Sequence, residues 1–150
     1  MDSSASKEAV LNAWATFASR DVRRIAAVFT PDAEWIAPQG NATAVALHHA
    51  DHMIGAEQIA RFIAVEMHKL FQNIDVQFRG IHAAGDTVIV EERMRATLPR
   101  GEVYDLEYCF VFELDGGLIR LVREYMDTRK GWRMVFGSDA ASGQARVLSQ

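Results

Sequence analysis

The chain carries one cysteine, Cys109, in 150 residues. An internal disulfide framework is therefore excluded and a thiolate zinc cage cannot be assembled, which fits a reducing compartment. Charge of one sign is lacking too: 16 lysines and arginines face 20 aspartates and glutamates, interspersed, for a formal net charge of -4. Without a basic stripe there is no footprint for a phosphate backbone, so nucleic acid is not an expected partner. No apolar run is long enough to span a bilayer, and the opening "MDSSASKEAV" lacks the basic-then-apolar pattern of a signal peptide. A cytoplasmic protein without a membrane partner is the expectation. Repeats and low-complexity segments are missing as well. What is present is 49% hydrophobic residues, enough for one unstapled core, so residues 1–150 are expected to form a single domain.

Helical periodicity comes first. Val10, Trp14, Phe17 and Ala18 recur along Ser6 to Arg20, with Ser6 as the expected N-cap before Glu8. Asp21 can cap a shorter helix with Val22, Ile25, Ala26 and Phe29 on one face, which "TPD" at Thr30 to Asp32 should stop. "AEWIAP" follows as a short strand. The stretch from Pro38 to Ile54 has no consistent period and is expected to be a long loop, either a lid or a mobile connection. Gly55 opens a third helix with Ile59, Phe62, Ile63, Met67 and Leu70.

The period then changes from helical to two. "NIDVQFRGIHAA", "TVIVEERMRATL", "EVYDLEYCFVFEL" and "GLIRLVREYMDT" read as four strands joined by the turns "AGD", "PRG" and "DGG". The order ααβαββββ predicts an α+β domain, with one curved, mostly antiparallel sheet covered on one face by three N-terminal helices. "KGWRMVFG" is expected as an ordered extension and "SDAASGQARVLSQ" as a frayed tail.

Within the second of these strands, "VEERMRA" is unusual. Alternation places Glu91, Arg93 and Arg95 on one side with Ile89, and Val90, Glu92, Met94 and Ala96 on the other. Neither side is cleanly polar.

The segments "FTPDAEWIAPQG", "HMIGAEQIARF", "VIVEERMRA" and "YCFVFELDGGLIRLVREYMDT" stand in the order of the nuclear transport factor 2-like superfamily. The chain resembles its SnoaL-like and ketosteroid-isomerase-like branch over roughly residues 6–128, leaving 129–150 as a C-terminal extension. The resemblance implies a cystatin-like cone of sheet with an internal small-molecule pocket and a homodimer through the sheet's outer face. It also implies activities such as isomerisation, polyketide cyclisation, dehydration or epoxide hydrolysis, alongside members without chemistry. The isomerase base position is Ala37, and the isomerase acid position matches Phe110, so that mechanism is not carried over. In the pattern of limonene-epoxide-hydrolase-like members, Arg93 is kept, the first aspartate becomes Arg95, and the second becomes Glu124.

That register places Arg93, Arg95 and Glu124 together on the pocket side. Opposite charges about 4 Å apart attract by roughly 4 kcal/mol at an effective dielectric near 20, so the two arginines would hold Glu124 ionised. The pocket would then favour an anionic or strongly polar group; the competing reading is a structural ion cluster. His48, His49 and His52 lie in the irregular stretch, where the ligand set is incomplete for a metal, and His49 or His52 is the candidate proton carrier at the pocket mouth. His82 reads as a satisfied core residue, and Cys109 as a buried, inert thiol. Trp14, Phe17, Trp35, Phe62, Tyr108 and Phe110 are the expected lining. Two functions fit. One is an enzyme using neither metal nor organic cofactor, of the cyclase, hydratase or hydrolase kind, with Glu124, Arg93 and Arg95 as its catalytic groups. The other is a non-catalytic binding module of the same fold.

Overall fold

The computed structural model describes residues 1–137. Its elements are α1 (Ser3–Phe17), α2 (Val22–Ala26), β1 (Phe29–Ile36), α3 (Ala42–Leu47), β2 (His52–Ile54) and α4 (Ala56–Ala64). A single 3-10 turn, Glu66–Lys69, leads to β3 (Gln72–Ala84), β4 (Thr87–Thr97), β5 (Val103–Asp115), β6 (Leu118–Met126) and α5 (Thr128–Phe136). The six strands form one sheet in the order β2-β1-β6-β5-β4-β3. Every pairing is antiparallel except β1 with β6. The fold is the α+β arrangement expected from the periodicity and the cone that the resemblance implied: a curved, open sheet with the helices over its concave side.

The meander from β3 to β6 follows directly from its turns. Asp115 pairs with Leu118 across Gly116 and Gly117, whose φ angles of 57° and 83° suit a two-residue hairpin turn that residues with a Cβ rarely adopt. Along β4 the buried positions are Val88, Val90, Glu92, Met94 and Ala96, in strict alternation with more exposed neighbours. The inner face is thus the even-numbered one on β4, and on β5 it is Tyr104, Leu106, Tyr108, Phe110, Phe112 and Leu114. Phe112 is fully buried and touches both Trp14 and Trp35, at ring-centroid distances of 5.5 and 6.3 Å. The offset and edge-on contacts of this cluster are the favoured geometry for aromatic rings.

Several expectations need correction. The first helix is capped by Asp2, whose side chain accepts from the Ala5 amide, while Ser6 is buried within the helix and donates to the Gly85 carbonyl at 2.7 Å. Asp21 does cap α2, but "TPD" does not end it: Thr30 to Asp32 already belong to β1. The stretch 38–54 is not a loop, since it holds α3, capped by Asn41, and the edge strand β2. The extension beyond residue 128 begins as α5, capped by Asp127 and packed on β5 and α3. The tail "SDAASGQARVLSQ" lies outside the described residues.

Candidate functional site

Inside the cone lies a cavity of about 430 Å³. Its walls are largely apolar: Trp14 and Phe17 from α1, Trp35 from β1, Phe62 from α4, and Phe110 from β5 all line it. Tyr108 lines it too. Ala37 lines it as well, so the position that resembled the isomerase base presents a methyl group.

Two glutamates line this apolar space. Glu92 and Glu124 sit on β4 and β6, the strands flanking β5; Glu92 is paired with Tyr108 and Glu124 with Phe110 in the register. Glu92 is 3% exposed, and its Oε2 has no hydrogen-bond partner among the described residues. Burial, followed by the neighbouring Glu124 charge, raises its pKa from 4.5 to about 8. Glu124 retains some surface, presented to the cavity, yet enough protein surrounds its carboxyl that desolvation dominates. Burial raises its pKa to about 7, opposed by a hydrogen bond from the Trp35 indole, Nε1 to Oε1 at 3.0 Å. At neutral pH, therefore, Glu92 keeps its proton while Glu124 is close to half-ionised.

Beside the carboxyls, the Tyr108 and Tyr104 hydroxyls share a hydrogen bond of 2.6 Å, and Tyr104 is bonded in turn to the Thr43 side chain. Burial is the main reason both phenols are held protonated, with Tyr104 raised to about 12 and Tyr108 well above 10. Farther round the wall stand Arg20, Asp51, His68 and Asn73. Burial and then the Arg20 charge lower the pKa of His68, opposed by a hydrogen bond with the Ile63 backbone.

Arg93 and Arg95 are not in this constellation. They project from the opposite face of β4, where Arg93 grips Asp105 with two bonds, Nε to Oδ1 at 2.8 Å and Nη2 to Oδ2 at 2.5 Å. Arg95 lies 3.7 Å from the same carboxylate. The expected cluster with Glu124 is thus divided by the sheet, and Glu124 is not held ionised. A one-residue difference in phase is responsible, because it transfers every side chain of a strand to the other face.

Nor does either candidate histidine line the cavity. His49 packs its ring on Phe62, 4.9 Å between centroids, and its Nδ1 lies 3.0 Å from the Ala50 carbonyl. His52 points outward and meets Glu34 at 2.8 Å. His82, expected in the core, is exposed and 3.9 Å from Glu91. Cys109 is partly buried, with its thiol pKa raised by burial and then by Glu91. Among the described residues no group of three or more histidines, cysteines and carboxylates is arranged to hold a metal ion, and no helix is long and apolar enough to cross a membrane.

The residues that sequence reasoning did not select are Glu92, His68 and Arg20. Glu92 had a usable signal, since it is in phase with Val90, Met94 and Ala96. For His68 and Arg20, both at ends of helical segments, periodicity offers none.

Comparison with known proteins agrees with the fold. The family pattern described as a SnoaL-like domain matches residues 10–122. The chain belongs to the SnoaL-like family. No curated protein matches it. Among solved structures, an NTF2-like protein of unknown function from Burkholderia pseudomallei superposes with a TM-score of 0.76 at 18% identity, covering 90% of this chain and 98% of that one. TerC, crystallised with polyporic acid, gives 0.75 at 23% identity over 88% of this chain and 98% of its own. An LEH-like epoxide hydrolase of M. tuberculosis gives 0.69 at 18% identity over 99% and 98%. At these identities the likeness is one of fold, the NTF2-like cone.

Proposed function

We propose that the cavity binds a small, largely apolar molecule and moves protons on it by acid–base chemistry of the cyclase, hydratase or hydrolase kind. The observation that carries this reading is the buried Glu92 carboxyl, with an unpartnered oxygen, among the walls of the same cavity as Glu124. An orphaned buried carboxyl costs stability, which makes a ligand-directed role a better account of it than packing. Its raised pKa and that of Glu124 differ in the useful sense: one group keeps a proton to give when the other is ready to take one.

In this reading Glu124, oriented by Trp35, acts as the base, and Glu92 protonates the oxygen on which negative charge develops. Tyr108 adds a hydroxyl beside them. The aromatic walls hold the apolar body of the substrate and exclude water, which strengthens both carboxyl interactions. That TerC was crystallised with polyporic acid is in keeping with small-molecule binding by this fold. Arg93 and Arg95, being outside, supply no charge stabilisation.

A panel of small cyclic ketones, enones and epoxides tests the reading. Glu92→Gln or Glu124→Gln should lower turnover about 100-fold or more while ligand binding persists. Binding without turnover by the wild type would leave a non-catalytic binding module, and turnover unaffected in both variants would overturn the roles given to Glu92 and Glu124.

We also propose that a second copy of the chain covers the outer sheet face. Ile89 is 38% exposed there, and it pairs with Val111 near partly covered Leu121. The ion pairs flanking this patch, Arg93 with Asp105 and Arg123 with Glu113, suit a polar rim.

A further inference from the structure

The cavity is not uniform. Its two glutamates, Glu92 and Glu124, belong to β4 and β6, whereas its arginine, Arg20, comes from the turn that ends α1. Arg20 holds a left-handed backbone conformation, φ 56°, which is uncommon for a residue with a Cβ. Its Nε donates to the Ala64 carbonyl at 3.2 Å, fixing the guanidinium against the end of α4. The rest of the guanidinium has neither a hydrogen-bond nor an ion-pair partner among the described residues. His68 and Asn73 line the cavity with it, and Asn73 too is left-handed, at φ 53°. Asp51 also lines the cavity, but its Oδ2 is engaged by the Gly40 amide at 2.8 Å.

We infer that Arg20, with His68 near it, forms a subsite for the carboxylate of an amphiphilic substrate whose apolar body lies along the aromatic walls. The inference rests on the cavity being the ligand site, as proposed above, and it narrows the substrate class to aromatic or alicyclic carboxylic acids. Near Glu124 an anion would meet like charge once that group ionises, whereas a guanidinium with free N–H groups offers the forked donor that carboxylates prefer. Burial and the Arg20 charge both disfavour a charged His68, so Arg20 is the group on which recognition turns.

The test compares 2-naphthoate with 2-naphthamide, which share a ring system and differ in charge. Binding is read by quenching of Trp14 and Trp35 fluorescence and confirmed by calorimetry. The wild type should bind the naphthoate about tenfold more tightly, in line with a charge-assisted hydrogen bond against a neutral one. Arg20→Gln should abolish that preference without weakening the naphthamide, and Arg20→Lys should restore part of it. Equal affinities in the wild type, or a preference that survives Arg20→Gln, would overturn the subsite. The measurement involves no turnover, so a failed subsite and a failed acid–base mechanism are separately visible. Binding of neither probe would count against the inference and against the ligand cavity itself.

Discussion

The Trp35 indole donates its N–H to Glu124 at 3.0 Å, from a strand that runs parallel to the one bearing the carboxylate. Trp35 is at once part of the cavity wall and the only hydrogen-bond donor to Glu124 among the described residues. The bond favours the ionised form and so opposes the effect of burial. Trp35→Phe should keep most of the wall and lose the donor. The expected result is a Glu124 pKa above the present value of about 7, visible in a carboxyl titration by infrared spectroscopy of labelled protein. Under the proposed mechanism, the lower limb of the pH–rate profile moves up with it.

Stability should fall with rising pH, contrary to the usual behaviour of paired carboxylates. Glu92 and Glu124 have folded-state pKa values of about 8 and 7, above the ordinary 4.5 of the unfolded chain. Below pH 4.5 both states are protonated and the stability these groups allow is fully present. Between pH 4.5 and 7 each group costs roughly 1.4 kcal/mol per pH unit, and Glu92 alone continues to about pH 8. Glu92→Gln should therefore flatten the decline and be more stable than the wild type at pH 8. Urea midpoints across this range measure the difference; a wild type no steeper than the variant would contradict the burial of an ionisable Glu92.

Arg93→Ala tests the placement of the arginines. Its partner Asp105 is on the outer face, so affinity for cavity ligands should be unchanged and the melting temperature nearly so. A tenfold or greater loss of ligand affinity would place the guanidinium functionally inside the pocket after all.

Ile89→Lys introduces a charge into the apolar patch shared with Val111. A dimer through this face should dissociate, and sedimentation velocity should change from a dimeric to a monomeric species. A wild type that sediments as a monomer at tens of micromolar would sink the proposed assembly.

Core packing offers a separate check. Phe112 is completely buried between Trp14 and Trp35. Phe112→Ala should cost about 3–5 kcal/mol in chemical unfolding. The adjacent cavity would then enlarge, favouring bulkier apolar ligands.

Most of the fold was legible because its strands and longer helices repeat their apolar residues at the right period. Val88, Val90, Met94 and Ala96 announce the inner face of β4 without further help. The segment 38–54 was not legible, because a helix of six residues and a strand of three are too short to show a period. The site was half legible. The aromatic lining followed from the pattern, whereas Glu124 and Arg93 were both assigned to the pocket by resemblance, Arg93 against the alternation of its own strand. That alternation had already grouped Glu92 with the core residues. Arg20 and His68 are brought to the cavity by chain turns, and no local pattern encodes where a turn will deliver a side chain.

The pleat of β4 also bears on how such a protein can diversify. Within three consecutive residues, Glu92 belongs to the cavity, Arg93 to a surface ion pair and Met94 to the cavity again. The backbone acts as a partition between two electrostatic systems. Changes to the outer face can be written on odd positions and changes to the cavity on even ones, so the two can drift independently along a single strand.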